Sequence, residues 1–182
     1  MQNPPVVVER AAQPYAAIRE TVTMDTLPVI ADRLVEVFGR LADRGIEPAG
    51  APFFRYDVID VERGMEIEAG VPVAQPLEAA GWGVNEADAD AGEVFTGTLP
   101  AGRYLTVTHI GHPDELLGVT AGLLEYAAAR GMEWDMERAD VVEEWGCRLE
   151  IYKTDPREEP DMSKWETELA FRLADPGKQQ QR

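Results

Sequence analysis

The chain has 182 residues, and 45% of them are hydrophobic, enough to build one globular domain or two small packed halves. Its 34 acidic and 17 basic residues give a formal net charge of −17, which disfavours direct binding to nucleic acid or to anionic membranes. The sequence shows no apolar run long enough to span a membrane, no secretory signal and a single cysteine, Cys147. These features predict a cytoplasmic protein.

The first half of the chain predicts a short leading strand followed by the element order strand, helix, strand, strand. Runs of β-branched residues and alternating patterns predict the strands, and apolar residues at helical spacing predict the helix. We expect Thr26 to cap this helix and Gly45 to end it. The predicted elements are strands over 6–8, 15–23, 53–59 and 65–73 and a helix over 28–44.

Residues 75–92 are rich in alanine, glycine and acidic residues and predict a linker, after which the same element order returns. His112 precedes the second helix as a cap, Gly131 ends that helix, and the tail over 174–182 is expected to be disordered. The whole pattern predicts an α+β fold with antiparallel sheets. The predicted elements are strands over 93–99, 103–110, 144–152 and 165–173 and a helix over 113–130.

A sequence repeat links the two halves. Four of the eight residues in segment 41–48 recur at matching positions 86 residues later, around Arg130 and Gly131. A repeat of this kind predicts two tandem copies of one supersecondary unit, over about 6–74 and 93–173. Two such copies pack face to face in most proteins, and the seam between them is a natural place for a ligand.

Glu150 is the first candidate site residue. The side chains of its predicted strand alternate between two faces, and the face of Glu150 is either exposed surface or the floor of a cavity at the seam. A carboxylate at the seam needs hydrogen bonds or a cation to offset its desolvation, so Glu150 is a candidate cation ligand or general base. The alternative is a surface strand on which Arg148 and Glu150 form a weak ion pair. The face expected to pack on a helix carries Trp145, Cys147, Leu149 and Ile151, and the other carries Gly146, Arg148, Glu150 and Tyr152.

The repeat also relates two short triplets of basic, apolar and acidic residues. Arg55-Tyr56-Asp57 in the first half corresponds to Arg148-Leu149-Glu150 in the second half. The triplets therefore predict either charged residues exposed at equivalent positions on the surfaces of the two halves, or two carboxylates, Asp57 and Glu150, that face one cavity.

Large aromatic residues supply the other candidates for ligand contact. Most of these side chains must fill the core, but a ring that faces a seam can stack on a flat or cationic ligand. Trp82 stands apart because it lies between two glycines in the polar linker, where no core pattern requires it. The candidates are Phe53, Tyr56, Trp82, Tyr126, Tyr152 and Trp165.

The sequence argues against several common chemistries. His109 and His112 lie three residues apart without a third convergent ligand, so no metal site is expected. The only serine, Ser163, lies in a polar loop, and Cys147 lies on an apolar strand face, which leaves no activated nucleophile. No glycine-rich phosphate-binding motif is present, so no cofactor is expected.

Three segments, over 97–104, 109–113 and 148–156, together resemble the GyrI-like small-molecule-binding domain. That family is related to the effector-binding domains of AraC- and MerR-type multidrug regulators, and the resemblance extends over about residues 6–173. It implies two strand–helix–strand–strand units with pseudo-twofold symmetry and a ligand cleft between them, lined by aromatic residues around one glutamate. The position that matches this glutamate is Glu150.

The resemblance implies that the protein binds an amphipathic, cationic aromatic molecule, as relatives do with lipophilic drugs. Because the chain shows no helix-turn-helix pattern, direct binding to nucleic acid is not expected. Two alternatives stay open. Relatives that hydrolyse cyclopropane-bearing toxins imply a hydrolase in which Glu150 activates water. Relatives that antagonise gyrase poisons, together with the acidic surface, are compatible with a module that inhibits a DNA-processing protein partner.

Overall fold

A computed structural model describes residues 3–77 and 92–178. Within these ranges ten strands, all paired antiparallel, form one curled sheet in an α+β fold with two α-helices. Neither described helix is long and apolar enough to cross a membrane. The strands are β1 (Val6–Arg10), β2 (Gln13–Val22), β3 (Phe53–Asp60), β4 (Gly64–Pro72), β5 (Phe95–Leu99), β6 (Gly102–Ile110), β7 (Met136–Ala139), β8 (Val142–Trp145), β9 (Arg148–Tyr152) and β10 (Glu166–Arg172), and the helices are α1 (Leu27–Asp43) and α2 (Leu116–Ala129).

The main path of the sheet runs in the order β1-β6-β10-β9-β3-β4-β2-β5. Strands from the first half of the chain occupy one side of this order, strands from the second half occupy the other, and β9 and β3 meet in the middle. β1 and β5 at the ends are exceptions, because each pairs with a strand of the opposite half. The two halves are therefore joined at both the centre and the ends of the sheet.

The segment predicted as one strand over 144–152 is divided in the structure. β8 ends at Trp145 and pairs with β7 and β3, whereas β9 begins at Arg148 and pairs with β3 and β10. Gly146 occupies the break, where a Cβ atom would lie 1.9 Å from Oδ2 of Asp135. The sequence does not predict β7 or the first two residues of β8, because these short segments carry little apolar alternation.

The first helix begins differently from the prediction, and both helices end as predicted. Thr26 precedes α1, but its side chain makes no hydrogen bond into the helix and instead accepts one from the Thr23 amide at 2.8 Å. The predicted Thr26 cap is therefore wrong. At the second helix, His112 accepts a hydrogen bond from the Asp114 amide at 3.2 Å and caps a 3-10 turn that leads into α2. The predicted stop signals at the ends of the two helices are both glycines with positive φ, +67° at Gly45 and +65° at Gly131.

Both helices pack on the same face of the sheet. α1 buries Ile30, Val37 and Leu41 against β2, β3 and β4, and α2 buries Leu123 and Ala127 against β6 and β10. This outer face includes Phe54 and Leu169, which lie directly opposite Glu150 on the two neighbouring strands. Glu150 therefore belongs to the face that the helices cover.

The inner face of the curled sheet closes on itself and contains no helix residue in its core cluster. Of the four residues predicted to pack on a helix, only Trp145 lies in the core on the α2 side. The prediction is wrong for Cys147, Leu149 and Ile151, because those residues pack on other strands of the same sheet. Strong curling lets large rings from opposite strands meet there. The cluster consists of Tyr15, Ala17, Phe53, Phe95, Leu99, Tyr104, Cys147, Leu149 and Ala170, with Ile151 packed against it.

A substitution at Gly70 tests the packing of the inner face, because Gly70 lies against the Phe53 ring. A Cβ atom at position 70 would lie 2.4 Å from Phe53 Cζ, and the ring is held edge to face against Tyr15 at 5.4 Å. We expect Gly70→Ala to lower the free energy of unfolding by about 1–3 kcal/mol in denaturant titrations.

Gly122→Ala in α2 is the matched control, because nothing lies within 4 Å of its Cβ position. Removing a helix-interior glycine should stabilise the protein by roughly 0.5–1 kcal/mol. An unchanged unfolding midpoint in Gly70→Ala would contradict the ring packing described above.

Candidate ligand-binding site

The candidate site is built from three rows of side chains that cross strands β10, β9 and β3 on the helix-covered face. Glu150 lies in the middle row, between Leu169 on β10 and Phe54 on β3. Arg148 lies in one flanking row and Tyr152 in the other, because alternate residues of a strand share a face. The register of these three strands thus assembles the site.

Two tyrosine hydroxyls hold the partly buried carboxylate of Glu150. The Tyr152 hydroxyl donates a hydrogen bond to Oε2 of Glu150 at 2.7 Å. The Tyr56 hydroxyl on β3 faces the same carboxylate and stabilises its negative charge. Both predicted residues therefore contact Glu150, one from each half of the chain.

The electrostatics of Glu150 follow from this environment. Burial raises the pKa of the Glu150 carboxyl, while the hydroxyls of Tyr152 and Tyr56 and the charge of Arg148 oppose that rise. Burial and the neighbouring carboxylate raise the pKa of both tyrosine hydroxyls well above the usual value, so both remain donors at neutral pH. Ionised Glu150 is thus solvated by neutral donors, and its charge is available to a ligand.

Phe54 and Tyr152 form an aromatic pair beside the carboxylate. Their ring centroids are 5.1 Å apart and the planes meet at 82°, an edge-to-face arrangement. Both rings pack with the α1 side of the core. Sequence reasoning missed Phe54 and named its neighbour Phe53, because alternation shows that the two point to opposite faces but not which one faces Glu150.

Arg148 is the second residue whose role the sequence did not show. Its guanidinium lies over the rings of Phe171, Trp145 and Tyr56, at 4.6, 4.9 and 5.6 Å from their centroids. Among residues 3–77 and 92–178, its buried Nε has no hydrogen-bond partner. The expected surface ion pair with Glu150 is thus replaced by contacts with aromatic rings.

The other predicted site residues lie in different surroundings. Phe53 is buried in the inner core beside Tyr15. Tyr126 lies on α2, with the Arg130 guanidinium 3.5 Å from its ring centroid. Trp165 immediately precedes β10 and donates from Nε1 to the Glu159 carbonyl at 2.7 Å. Trp82 lies outside the described residues.

Asp57 does not share a cavity with Glu150, so the predicted equivalence of the two triplets is wrong. The strand register places Phe54, not Asp57, at the position of Glu150, and a bulge follows Tyr56 in β3. Asp57 instead lies 3.1 Å from Nε of Arg55 and interacts with Glu68 on the inner face. Burial, followed by the contact with Glu68, raises the pKa of Asp57 to about 9.

The family model of the GyrI-like small molecule binding domain matches residues 3–174. The chain belongs to the GyrI-like family. The resemblance expected from the three sequence segments is therefore confirmed. No curated protein sequence matches the chain.

Several solved structures share the GyrI-like fold of this chain. EcmrR in a complex with DNA gives a TM-score of 0.66 at 17% identity over 94% of this chain, which spans 57% of the EcmrR chain. The isolated C-terminal domain of EcmrR gives 0.62 at 18% identity, over 94% of this chain and 98% of that domain. SAV2435 bound to tetraphenylphosphonium gives 0.61 at 13% identity, covering 98% of both chains. A hydrolase from Listeria innocua gives 0.56 at 12% identity, over 93% of this chain and 91% of that chain.

At these identities the comparisons establish the fold and leave the ligand open. EcmrR is seen in a DNA complex, so the absence of direct nucleic-acid binding by this GyrI-like protein stays a prediction. The same holds for its cellular location and for the chemical class of its ligand.

Glu150→Gln tests the electrostatic description of the GyrI-like site in the absence of ligand. Folding raises the pKa of Glu150, so the folded state binds a proton at this carboxyl group more tightly than the unfolded chain does. The protonated carboxyl group therefore stabilises the fold at low pH, and this stabilisation is lost as pH rises through the raised pKa. At neutral pH the buried carboxylate therefore destabilises the fold. We expect the substitution to raise the melting temperature at pH 7, by about 2–4 °C for each kcal/mol recovered, and to have little effect near pH 4.

Glu144→Gln is the control, since this carboxylate is exposed on the adjacent strand β8. Its unfolding should change by less than about 0.5 kcal/mol at either pH. A lower melting temperature for Glu150→Gln at pH 7 would show that the interactions with the tyrosine hydroxyls outweigh the cost of burial.

Proposed function

We propose that the protein binds amphipathic, cationic aromatic small molecules and that Glu150 supplies the compensating negative charge. The observation that carries the proposal is the partly buried carboxylate, held by two neutral hydroxyls and flanked by aromatic rings. SAV2435, which shares the fold, is bound to tetraphenylphosphonium, a ligand of this class.

Three physical terms favour a cation at this position. A positive group beside Glu150 would recover part of the energy lost by burying the carboxylate. The faces of Phe54, Tyr56 and Tyr152 would add cation–π attraction. The net charge of −17 would also draw cations toward the protein at low ionic strength.

We further propose that the two halves, over about 6–74 and 93–173, are repeats related by a twofold axis through the Phe54–Glu150 pair. The strand order supports this, because it is symmetric about that pair. Moving outward from the centre, β9 corresponds to β3, β10 to β4 and β6 to β2. Tyr56 and Tyr152 also support it, since each lies two residues beyond the pair on its own strand. On this proposal the ligand lies at the seam of the repeats.

The ligand contacts that we propose are Glu150, Tyr56, Tyr152 and Phe54. The first three follow from the sequence pattern and from their mutual contacts, and Phe54 takes the place that the sequence assigned to Phe53. Trp82, Tyr126 and Trp165 stay candidates for the outer wall on the strength of the sequence pattern alone.

Binding of tetraphenylphosphonium tests the proposed function. Glu150→Gln preserves shape and removes the anion, so we expect it to weaken binding by about 1–3 kcal/mol in isothermal titration calorimetry. Wild-type affinity should also rise with pH as the carboxyl group, whose pKa is raised by burial, becomes ionised.

Neutral triphenylphosphine oxide is the matched ligand, and Glu144→Gln is the matched variant. Glu150→Gln should weaken binding of the neutral ligand much less than binding of the cation. Glu144→Gln should leave the affinity for the cation nearly unchanged. Equal losses for the charged and neutral ligands would mean that Glu150 acts through folding rather than through its charge.

Hydrolysis of a strained electrophile is the second candidate function, and the raised pKa of Glu150 favours it, because a general base works best with a pKa near the working pH. We expect Glu150→Gln to slow ring opening of an activated cyclopropane by about 10²- to 10⁴-fold, measured by mass spectrometry, while binding partly survives. No ring opening across a varied panel would favour binding alone.

A further inference from the structure

Arg148 occupies an aromatic box formed by Tyr56, Trp145 and Phe171. The guanidinium lies 4.6–5.6 Å from the three ring centroids, a distance at which each ring attracts the charge. Trp145 and Phe171 belong to the core on the α2 side, and Tyr56 belongs to the core on the α1 side. Arg148 therefore lies between the two helix-covered halves, beside Glu150.

The donors of Arg148 are not matched by acceptors in the described part of the chain. Its Nε is buried there without a hydrogen-bond partner. The two carboxylates whose charges it feels, Glu143 and Glu150, are engaged elsewhere. Glu143 pairs with Arg138 and accepts from Trp145 Nε1 at 3.0 Å, while Glu150 accepts from the Tyr152 hydroxyl. A guanidinium can only donate, so the buried and unpaired Nε–H of Arg148 offers a hydrogen bond that an oxygen atom of a ligand could accept.

One side chain connects this positive group to the negative one. The Tyr56 ring contacts the Arg148 guanidinium, and the Tyr56 hydroxyl faces the Glu150 carboxylate. Arg148 and Glu150 are two residues apart on one strand face, which separates their Cα atoms by roughly 7 Å. An aromatic molecule that rests on Tyr56 is therefore within reach of both charges.

We propose that Arg148 is a specificity-determining residue and that the site selects zwitterionic aromatic ligands over purely cationic ones. The cationic group of the ligand would lie at Glu150 and its carboxylate, or an equivalent anionic oxygen, at Arg148. This inference rests on the proposed function and narrows its ligand class. Without an acceptor on the ligand, Arg148 only repels the cation that Glu150 attracts.

Two dyes that differ by one methyl ester test this selectivity. Rhodamine 110 carries a free carboxylate beside its cationic ring system, and rhodamine 123 is its methyl ester. In fluorescence anisotropy titrations at neutral pH, wild-type protein should bind rhodamine 110 about tenfold or more tightly than rhodamine 123, as expected for a charge-assisted contact to arginine.

Arg148→Met keeps an unbranched, flexible side chain that can still contact the aromatic box, and it removes the charge. It should weaken rhodamine 110, strengthen rhodamine 123 and so abolish or reverse the preference. Arg148→Lys keeps the charge and should retain part of the preference, which protects the test if the methionine variant folds poorly. Arg157→Met, at a position 89% exposed, is the control and should leave both affinities unchanged.

The outcomes distinguish a failure of the proposed role of Arg148 from a failure of the proposed binding function. If both dyes bind, Glu150→Gln weakens both and Arg148→Met leaves their ratio unchanged, the role of Arg148 is wrong and the proposed function stands. If wild-type protein prefers rhodamine 123, the role of Arg148 is likewise wrong. If neither dye binds wild-type protein or the Arg148 variants, both proposals fail.

Discussion

The pairing of β3 with β9 is the contact on which the candidate site depends. It consists of three residue pairs, with Phe54 opposite Glu150 at the centre. It joins the two halves of the chain, and it places Tyr56 and Tyr152 on either side of one carboxylate. A shift of one residue would turn Glu150 toward the inner face and remove both hydroxyls from its reach, because strand side chains alternate.

The two faces of the sheet hold buried carboxylates in different ways. On the inner face, Glu68 is fully buried, accepts from the Tyr15 hydroxyl at 2.6 Å and lies near Arg19 and Arg55. Burial and the contact with Glu68 raise the pKa of the neighbouring Asp57, while the charges of Arg55 and Arg19 oppose that rise. In this cluster the guanidinium groups of Arg19 and Arg55 lie within 4 Å of both carboxylates, so the protein itself supplies the opposite charges. On the outer face, Glu150 has only neutral hydrogen-bond donors, which is why the ligand proposal is placed there.

The sequence predicted the elements better than their pairing. Helical spacing and glycines located both helices to within a few residues, and strand parity together with the family resemblance selected Glu150, Tyr56 and Tyr152. Periodicity along one strand cannot show which strand lies next to it or where the chain bends. For that reason it joined β8 to β9, matched Asp57 with Glu150 and chose Phe53 over Phe54. The contacts of Arg148 also depend on three strands at once, and no local pattern encodes them.

Arg148 and Glu150 are opposite charges on one strand face, yet they do not form an ion pair with each other in the described part of the chain. Tyrosine hydroxyls solvate the anion, and aromatic rings surround the cation. If stability alone had shaped this region, a direct ion pair or a set of apolar side chains would serve at least as well. Departures of this kind from simple packing are characteristic of functional sites. The shared contact with Tyr56 keeps both charges within reach of one small molecule, which is the arrangement that recognition of a ligand with two polar ends requires.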